Sequence, residues 1–154
     1  MSELKKARKM SYSRVESSVL MLPDQANALG NVHGGELMKL MDNVAVMAAM
    51  KHSGGAAVTA RVDELVFHEP VSIGSIVTCI AQVAYAGRTS MQVKVTVYVH
   101  DLKKYTEPRI ALSSFFSIVH LGDDNRPKEV PGLIAVTEEE KVLYKAGEER
   151  YPKK

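Results

Sequence analysis

A single cysteine, Cys79, in 154 residues excludes an intrachain disulfide, and its place in an apolar run reads as a reducing, intracellular compartment. Neither sign of charge is in excess: 20 basic against 18 acidic residues leave a net +2, too weak a field to recruit nucleic acid. Long hydrophobic runs are missing as well. The longest uncharged apolar stretch, Val44 to Met50, falls far short of the roughly 18 residues of a spanning helix. The basic start MSELKKARKMSYSRVESS has no apolar segment behind it to act as a secretory signal. A cytoplasmic protein with no membrane and no nucleic-acid partner is expected. His52, His68, His100 and His120 show neither metal-type spacing nor clustered Cys or acidic partners, so no metal site is expected. The Gly-x-Ser-x-Gly elbow, the P-loop and the Gly-x-Gly-x-x-Gly fingerprint are absent too, which leaves serine-nucleophile and those nucleotide chemistries without support.

What is present fits one domain, long enough to bury a core without staples. Residues 1 to 12, with Lys5, Lys6, Arg8 and Lys9, read as a loose basic arm. A β-type run from Val15 to Met21 is stopped by Pro23. After the turn-rich Asp24 to Asn31, His33-Gly34-Gly35 opens a helix over Glu36 to about Met50. Its polar residues Glu36, Lys39 and Asn43 share one narrow sector and the rest is apolar apart from Asp42, so the helix is expected to be buried on most sides. After Ser53-Gly54-Gly55 the period becomes two, in VTARVDELVF, SIVTCIAQVAYA, MQVKVTVYVHD and RIALSSFFSIVHL. Short connections between these runs make the sheet mainly antiparallel. The expected class is α+β: a curved antiparallel sheet of about five strands wrapped round one long central helix. Beyond it, Thr137-x-x-Glu140 is a capping box for a short, exposed final helix in a tail over 134–154.

Asp42 resists a purely structural reading. Its helical neighbours Met38, Ala45, Val46 and Ala49 place the carboxylate on an apolar face, and burying it is costly without partners. One reading is a border residue satisfied by Lys39 or a backbone amide; the other is a carboxylate positioned to take a proton from water or to attack an acyl carbon. The helix start at His33-Gly34-Gly35 offers free N–H groups at the positive end of the dipole, a candidate oxyanion hole or an ordinary turn. Asp42 lies about 10 Å further along the axis. One chain therefore does not easily aim both at one carbonyl, whereas two antiparallel helices across a two-fold axis do, which predicts a dimer with two shared sites. Asn27 is read as an Asx-turn residue that can also hold a water or polarise a carbonyl. Gly87-Arg88-Thr89-Ser90 is a hairpin turn whose guanidinium, hydroxyls and main-chain donors suit a phosphate or an amide-rich ligand arm. Arg61 and Asp63 share a strand face, as an exposed pair or as the lining of a cleft. Cys79 is read as a small core residue.

Four ordered motifs together, Asn27-Ala28-Leu29-Gly30-Asn31-Val32-His33-Gly34-Gly35, Met41-Asp42, Val58-Thr59-Ala60-Arg61-Val62-Asp63 with Phe67, and Gly87-Arg88-Thr89-Ser90-Met91, resemble the hotdog-fold acyl-CoA thioesterases, in the branch of the brain-type cytosolic acyl-CoA hydrolases and their single-domain bacterial relatives. The resemblance implies a hotdog domain over 13–133, hydrolysis of acyl-CoA with coenzyme A as substrate and product moiety and no other cofactor, and a homodimer built into a trimer of dimers. It implies that Asp42 is the catalytic carboxylate and that Asn27 comes from the opposite protomer. His33, Gly34 and Gly35 would lie beside the thioester, with Thr59, Arg61 and Gly87 to Ser90 along the coenzyme A arm. A hotdog hydratase or dehydratase would carry a histidine on this helix, which has none between Gly35 and Met50. A non-catalytic acyl-CoA sensor is the remaining alternative.

Overall fold

Five residues of one strand, Met91, Val93, Val95, Val97 and Val99, are all fully buried, and their strict alternation shows which face of the sheet meets the helix. The computed structural model describes residues 6–103 and 105–151. Along the chain come β1 (Arg8–Lys9), β2 (Val15–Leu20), α1 (Gly34–Ser53), β3 (Ala56–Val62), β4 (Ile76–Ala86), β5 (Ser90–His100), β6 (Arg109–Leu121), β7 (Leu133–Ile134) and α2 (Glu138–Arg150). The main sheet has five strands in the order β2-β4-β5-β6-β3, every neighbour antiparallel. It curls round α1, which packs against all five strands. This is the hotdog arrangement the sequence led us to expect.

The helix starts where His33, in extended backbone, caps it by accepting the Gly35 N–H on Nδ1 at 3.0 Å. It stops at Gly54, whose φ of 85° is left-handed and whose N–H returns to the Met50 carbonyl at 2.8 Å. Gly54→Ala is therefore expected to destabilise the fold by about 1 kcal/mol, because a Cβ disfavours that conformation; a lowered thermal midpoint would show it. The helix is one turn longer at its end than expected. It is also less enclosed. Leu37, Met41, Val44, Ala45, Ala48 and Ala49 form the buried face, while Met38, Met47 and Met50 remain 44%, 43% and 45% exposed. The sheet wraps one side of α1 only, so the apolar composition of the other side is not explained by the chain's own core.

One further expectation needs correction. Of the basic arm, residues 1–5 lie outside the described residues, and the remainder is not loose: Arg8 and Lys9 pair in parallel with Leu133 and Ile134, and Met10 and Ser13 are fully buried. The physical reason is Met10, an apolar anchor inside a basic run, which seats the 3-10 turn Met10–Ser13 against α1 and β4. Of the C-terminal tail, residues 152–154 lie outside the described residues. The capping box forms as expected, with Thr137 Oγ1 accepting the Glu140 N–H at 3.0 Å and Glu140 Oε1 accepting the Thr137 N–H at 3.3 Å. The helix it starts is exposed over most of its length, as expected, with Gly147 its one buried residue. It lies against β4 and β5 on the sheet face opposite α1, which accounts for the burial of Gln92, a residue that points away from the main core.

Candidate active site

Asp42 sits in the middle of α1 between fully buried Met41 and Val44, and is itself half-buried. Its carboxylate finds neither Lys39 nor a backbone amide. Thr59 Oγ1 donates to Asp42 Oδ1 at 2.5 Å, a short charge-assisted bond. Thr59 reaches it because β3 pairs Thr59 with Ile118, a fully buried residue of the helix-facing side. Among the described residues no lysine, arginine or histidine pairs with Asp42. One oxygen is thus held by a neutral donor, and the other stays available to a water or an acyl carbon.

Thr59 and Arg61 do not act on the same side. Strand alternation would place both on one face, but the register of β3 against β6 shifts between them, so that Thr59 opposes Ile118 and Arg61 opposes Ser117. The extra residue, Ala60, is a β-bulge. It leaves Thr59 facing α1 and turns Arg61 to the outer face, where Arg61 pairs with Asp63 at 3.5 Å. Arg61 and Asp63 do share a face, and they line a cleft of about 430 Å³ with Glu64, Lys94 and Arg150.

At the amino end of α1, Asn27 Oδ1 accepts the N–H groups of Leu29 and Asn31 at 2.9 and 3.1 Å. The Asx-type loop expected of this residue is what forms, and its side-chain N–H₂ is the part left for a ligand. Asn27, Asn31, Gly34, Leu37, Phe67 and Val71 are among the residues lining a cavity of about 310 Å³. The tip of the Phe67 ring approaches Gly34 so closely that a Cβ there would meet its Cζ at 3.2 Å, a tight contact that glycine relieves. Of the two amides expected in an oxyanion hole, that of Gly35 is occupied by His33 Nδ1. Asp42 is not part of this cavity. Within one chain the fold brings Asn27 and Gly34 together, and Asp42 and Thr59 together, as two separate half-sites.

The turn Gly87 to Ser90 is closed by the Gly87 N–H donating to the Ser90 carbonyl at 2.8 Å. It is tied down by His120 and Val130, whose N–H groups donate to the carbonyls of Thr89 and Arg88, each at 2.9 Å. Arg88 is exposed, with Thr89 and Ser90 half-buried. Cys79 is fully buried in the core, and burial pushes its thiol up to about 12, which makes it unreactive near neutral pH. Among the described residues no group of three or more His, Cys, Asp or Glu is placed to hold a metal ion, and no helix is long and apolar enough to cross a membrane. The Thr59–Asp42 contact was beyond sequence reasoning, which had assigned Thr59 to the coenzyme A arm; only the tertiary approach of β3 to α1 reveals it.

Residues 29–105 match the thioesterase superfamily. A cytosolic acyl coenzyme A thioester hydrolase of Mus musculus is 35% identical over 143 residues, covering 92% of this chain. The chain spans only 38% of that relative's length. Among solved structures, the acyl-CoA hydrolase of Staphylococcus aureus in complex with butyryl coenzyme A, coenzyme A and coenzyme A disulfide superimposes with a TM-score of 0.87 at 33% identity, over 94% of this chain and 87% of that one. An apo-hexameric acyl-CoA thioesterase gives 0.88 at 34% identity, over 94% and 92% of the two chains. The staphylococcal hydrolase has also been solved as three single-alanine variants, at an asparagine, an aspartate and a threonine. With its hotdog fold and these relatives, the chain belongs to the thioesterase superfamily.

Proposed function

We propose that the protein hydrolyses acyl-CoA thioesters to a free carboxylic acid and coenzyme A, at sites shared between two protomers. The observation that carries this reading is the half-buried Asp42 carboxylate held by Thr59 at 2.5 Å in a chain of this superfamily. The three residues substituted in the staphylococcal variants have the same order and spacing as Asn27, Asp42 and Thr59, which supports giving these positions the working roles.

In the proposed reaction, Asp42 takes a proton from a water that attacks the thioester carbonyl. The tetrahedral oxyanion is met by main-chain N–H at Gly34 of the other protomer, where the helix dipole favours negative charge, with Asn27 orienting water or carbonyl through its N–H₂. His33 shapes the helix start and Gly35 keeps it open to close approach. Collapse of the intermediate breaks the C–S bond, and the thiolate of coenzyme A leaves and gains the proton. A covalent route, in which Asp42 attacks the carbonyl to form an anhydride that water then opens, uses the same geometry. Incorporation of heavy oxygen from water into Asp42 in a single turnover marks that second route. Gly87, Arg88, Thr89, Ser90 and Arg61 are assigned to the coenzyme A arm, and coenzyme A enters only as part of substrate and product.

Separation along α1 supports sharing: Gly35 and Asp42 lie about 10 Å apart on one axis, so one chain does not easily aim both at one carbonyl, and a second helix running the other way would close the gap. Two surfaces are suited to a second copy. β3 is an edge strand of the sheet with Val58 45% exposed, the type of edge that pairs with another chain, and α1 leaves its methionine face uncovered. A trimer of such dimers and a cytoplasmic location complete the proposal, with the catalytic domain over 13–133. The direct test is release of thiol from a panel of short, medium, long and aromatic acyl-CoAs. Turnover of at least one class is expected, and no turnover of any would overturn the reading. Thr59→Val keeps the side-chain shape but removes the donor; since a hydrogen bond to a charged group contributes about 1.5–3 kcal/mol, kcat is expected to fall roughly ten- to a hundredfold in the same assay.

A further inference from the structure

Two glycines that the backbone does not require mark the docking of α2. Neither Gly87 nor Gly147 has a positive φ, and Gly147 lies inside a helix, where glycine costs about 1 kcal/mol relative to alanine. Both make room for side chains instead. A Cβ on Gly147 would stand 2.8 Å from Ala84 Cβ and 3.0 Å from Tyr85 Cβ, so α2 approaches β4 closely at this point. A Cβ on Gly87 would overlap the phenol end of Tyr151, the residue that ends α2, nearest its hydroxyl oxygen and Cζ. Tyr85 fills the space between, meeting Tyr144 and Tyr151 edge to face at 5.2 and 5.1 Å. One residue earlier, Arg150 pairs with Asp63 at 3.2 Å and stacks on Phe115 at 4.4 Å, and Asp63 in turn holds Arg61. The end of α2 is therefore in contact with the turn Gly87 to Ser90 directly and with Arg61 through Asp63, the two outer-face segments assigned above to the coenzyme A arm.

We infer that Tyr151 is a positioning residue for the coenzyme A arm of the substrate: its phenol end, seated on Gly87, fixes the turn that presents Arg88, Thr89 and Ser90. This rests on the acyl-CoA reading above and extends it to a part of the chain outside the proposed catalytic domain. Tyr151 lies on the sheet face opposite α1, so it has no access to Asp42 or the thioester. Its contribution is to affinity for the nucleotide-bearing arm and not to bond cleavage. The phenol end does this by shape, its hydroxyl oxygen and Cζ together occupying the volume a Cβ on Gly87 would take.

The test compares wild type, Tyr151→Ala and Tyr151→Phe in the full chain, using one acyl group carried on coenzyme A and the same acyl group carried on pantetheine, which lacks the nucleotide. Tyr151→Ala is expected to raise KM for acyl-CoA about tenfold while kcat stays within about twofold, and to leave the kinetics of the pantetheine thioester as in wild type. Tyr151→Phe, which keeps Cζ against Gly87 and loses only the hydroxyl oxygen, is expected to give a KM between those of wild type and Tyr151→Ala. Gly87→Ala should reproduce the Tyr151→Ala value, because the added methyl displaces the ring, and the double variant should be no worse than either single one. Equal losses with both substrates would show a merely structural role and overturn the inference, as would a wild-type KM in Tyr151→Ala. If wild type cleaves no acyl-CoA, the inference falls with the reading it extends; if wild type turns over and KM is unmoved, it falls alone.

Discussion

Asp42→Asn is expected to lower turnover of acyl-CoA by about two orders of magnitude or more, with fold and assembly unchanged. The two side chains are nearly isosteric, and an amide oxygen can still accept the Thr59 hydroxyl that Asp42 accepts at 2.5 Å, so the α1 to β3 contact survives. What is lost is chemical. An amide neither takes a proton from water near neutral pH nor attacks an acyl carbon, and this holds whichever of the two routes operates. Because Asp42 is half-buried and pairs with no cation among the described residues, no ion pair is broken and little stability is at stake. The loss should therefore appear in kcat while the thermal midpoint and particle size match wild type. Turnover equal to wild type would remove Asp42 from the mechanism.

The parts of this picture that were legible in the sequence are those with a local cause. Period-two patterning marked the long strands because Met91, Val93, Val95, Val97 and Val99 all point into the core. Asp42 stood out because a carboxylate among Met38, Ala45, Val46 and Ala49 has no local explanation, and the substrate class came from the resemblance of four motifs. What escaped notice depends on tertiary approach or on a single irregular residue. The bulge at Ala60 has no sequence signature, yet it reverses the side on which Arg61 lies relative to Thr59. Met10 looked incidental in a basic run, although its burial ties the N-terminal segment to the fold. The docking of α2 left a signal that was overlooked: Gly147 sits where a helix former would be expected, and it does so because Ala84 and Tyr85 leave no room for a side chain. The methionines of α1 read as core because a pattern reports apolarity and not which surface covers it.

The shared site makes the sharpest claim, since it requires Asn27 and Asp42 to meet from different chains. In each chain Asn27 belongs with Gly34 in the cavity at the start of α1, while Asp42 belongs with Thr59 further along. Asn27→Ala and Asp42→Ala homodimers each carry the same defect in both sites. A mixed dimer is different: one of its sites draws Asp42 from the first chain and Asn27 from the second and is wild type, and the other carries both defects. Unfolding the two inactive variants together at equal amounts, refolding them, and measuring thiol release at fixed total protein tests this arrangement most directly. Random pairing makes half the dimers mixed with one good site in two, so about a quarter of wild-type activity is expected to return. Activity no greater than the mean of the two variants measured separately would contradict a site built across two protomers.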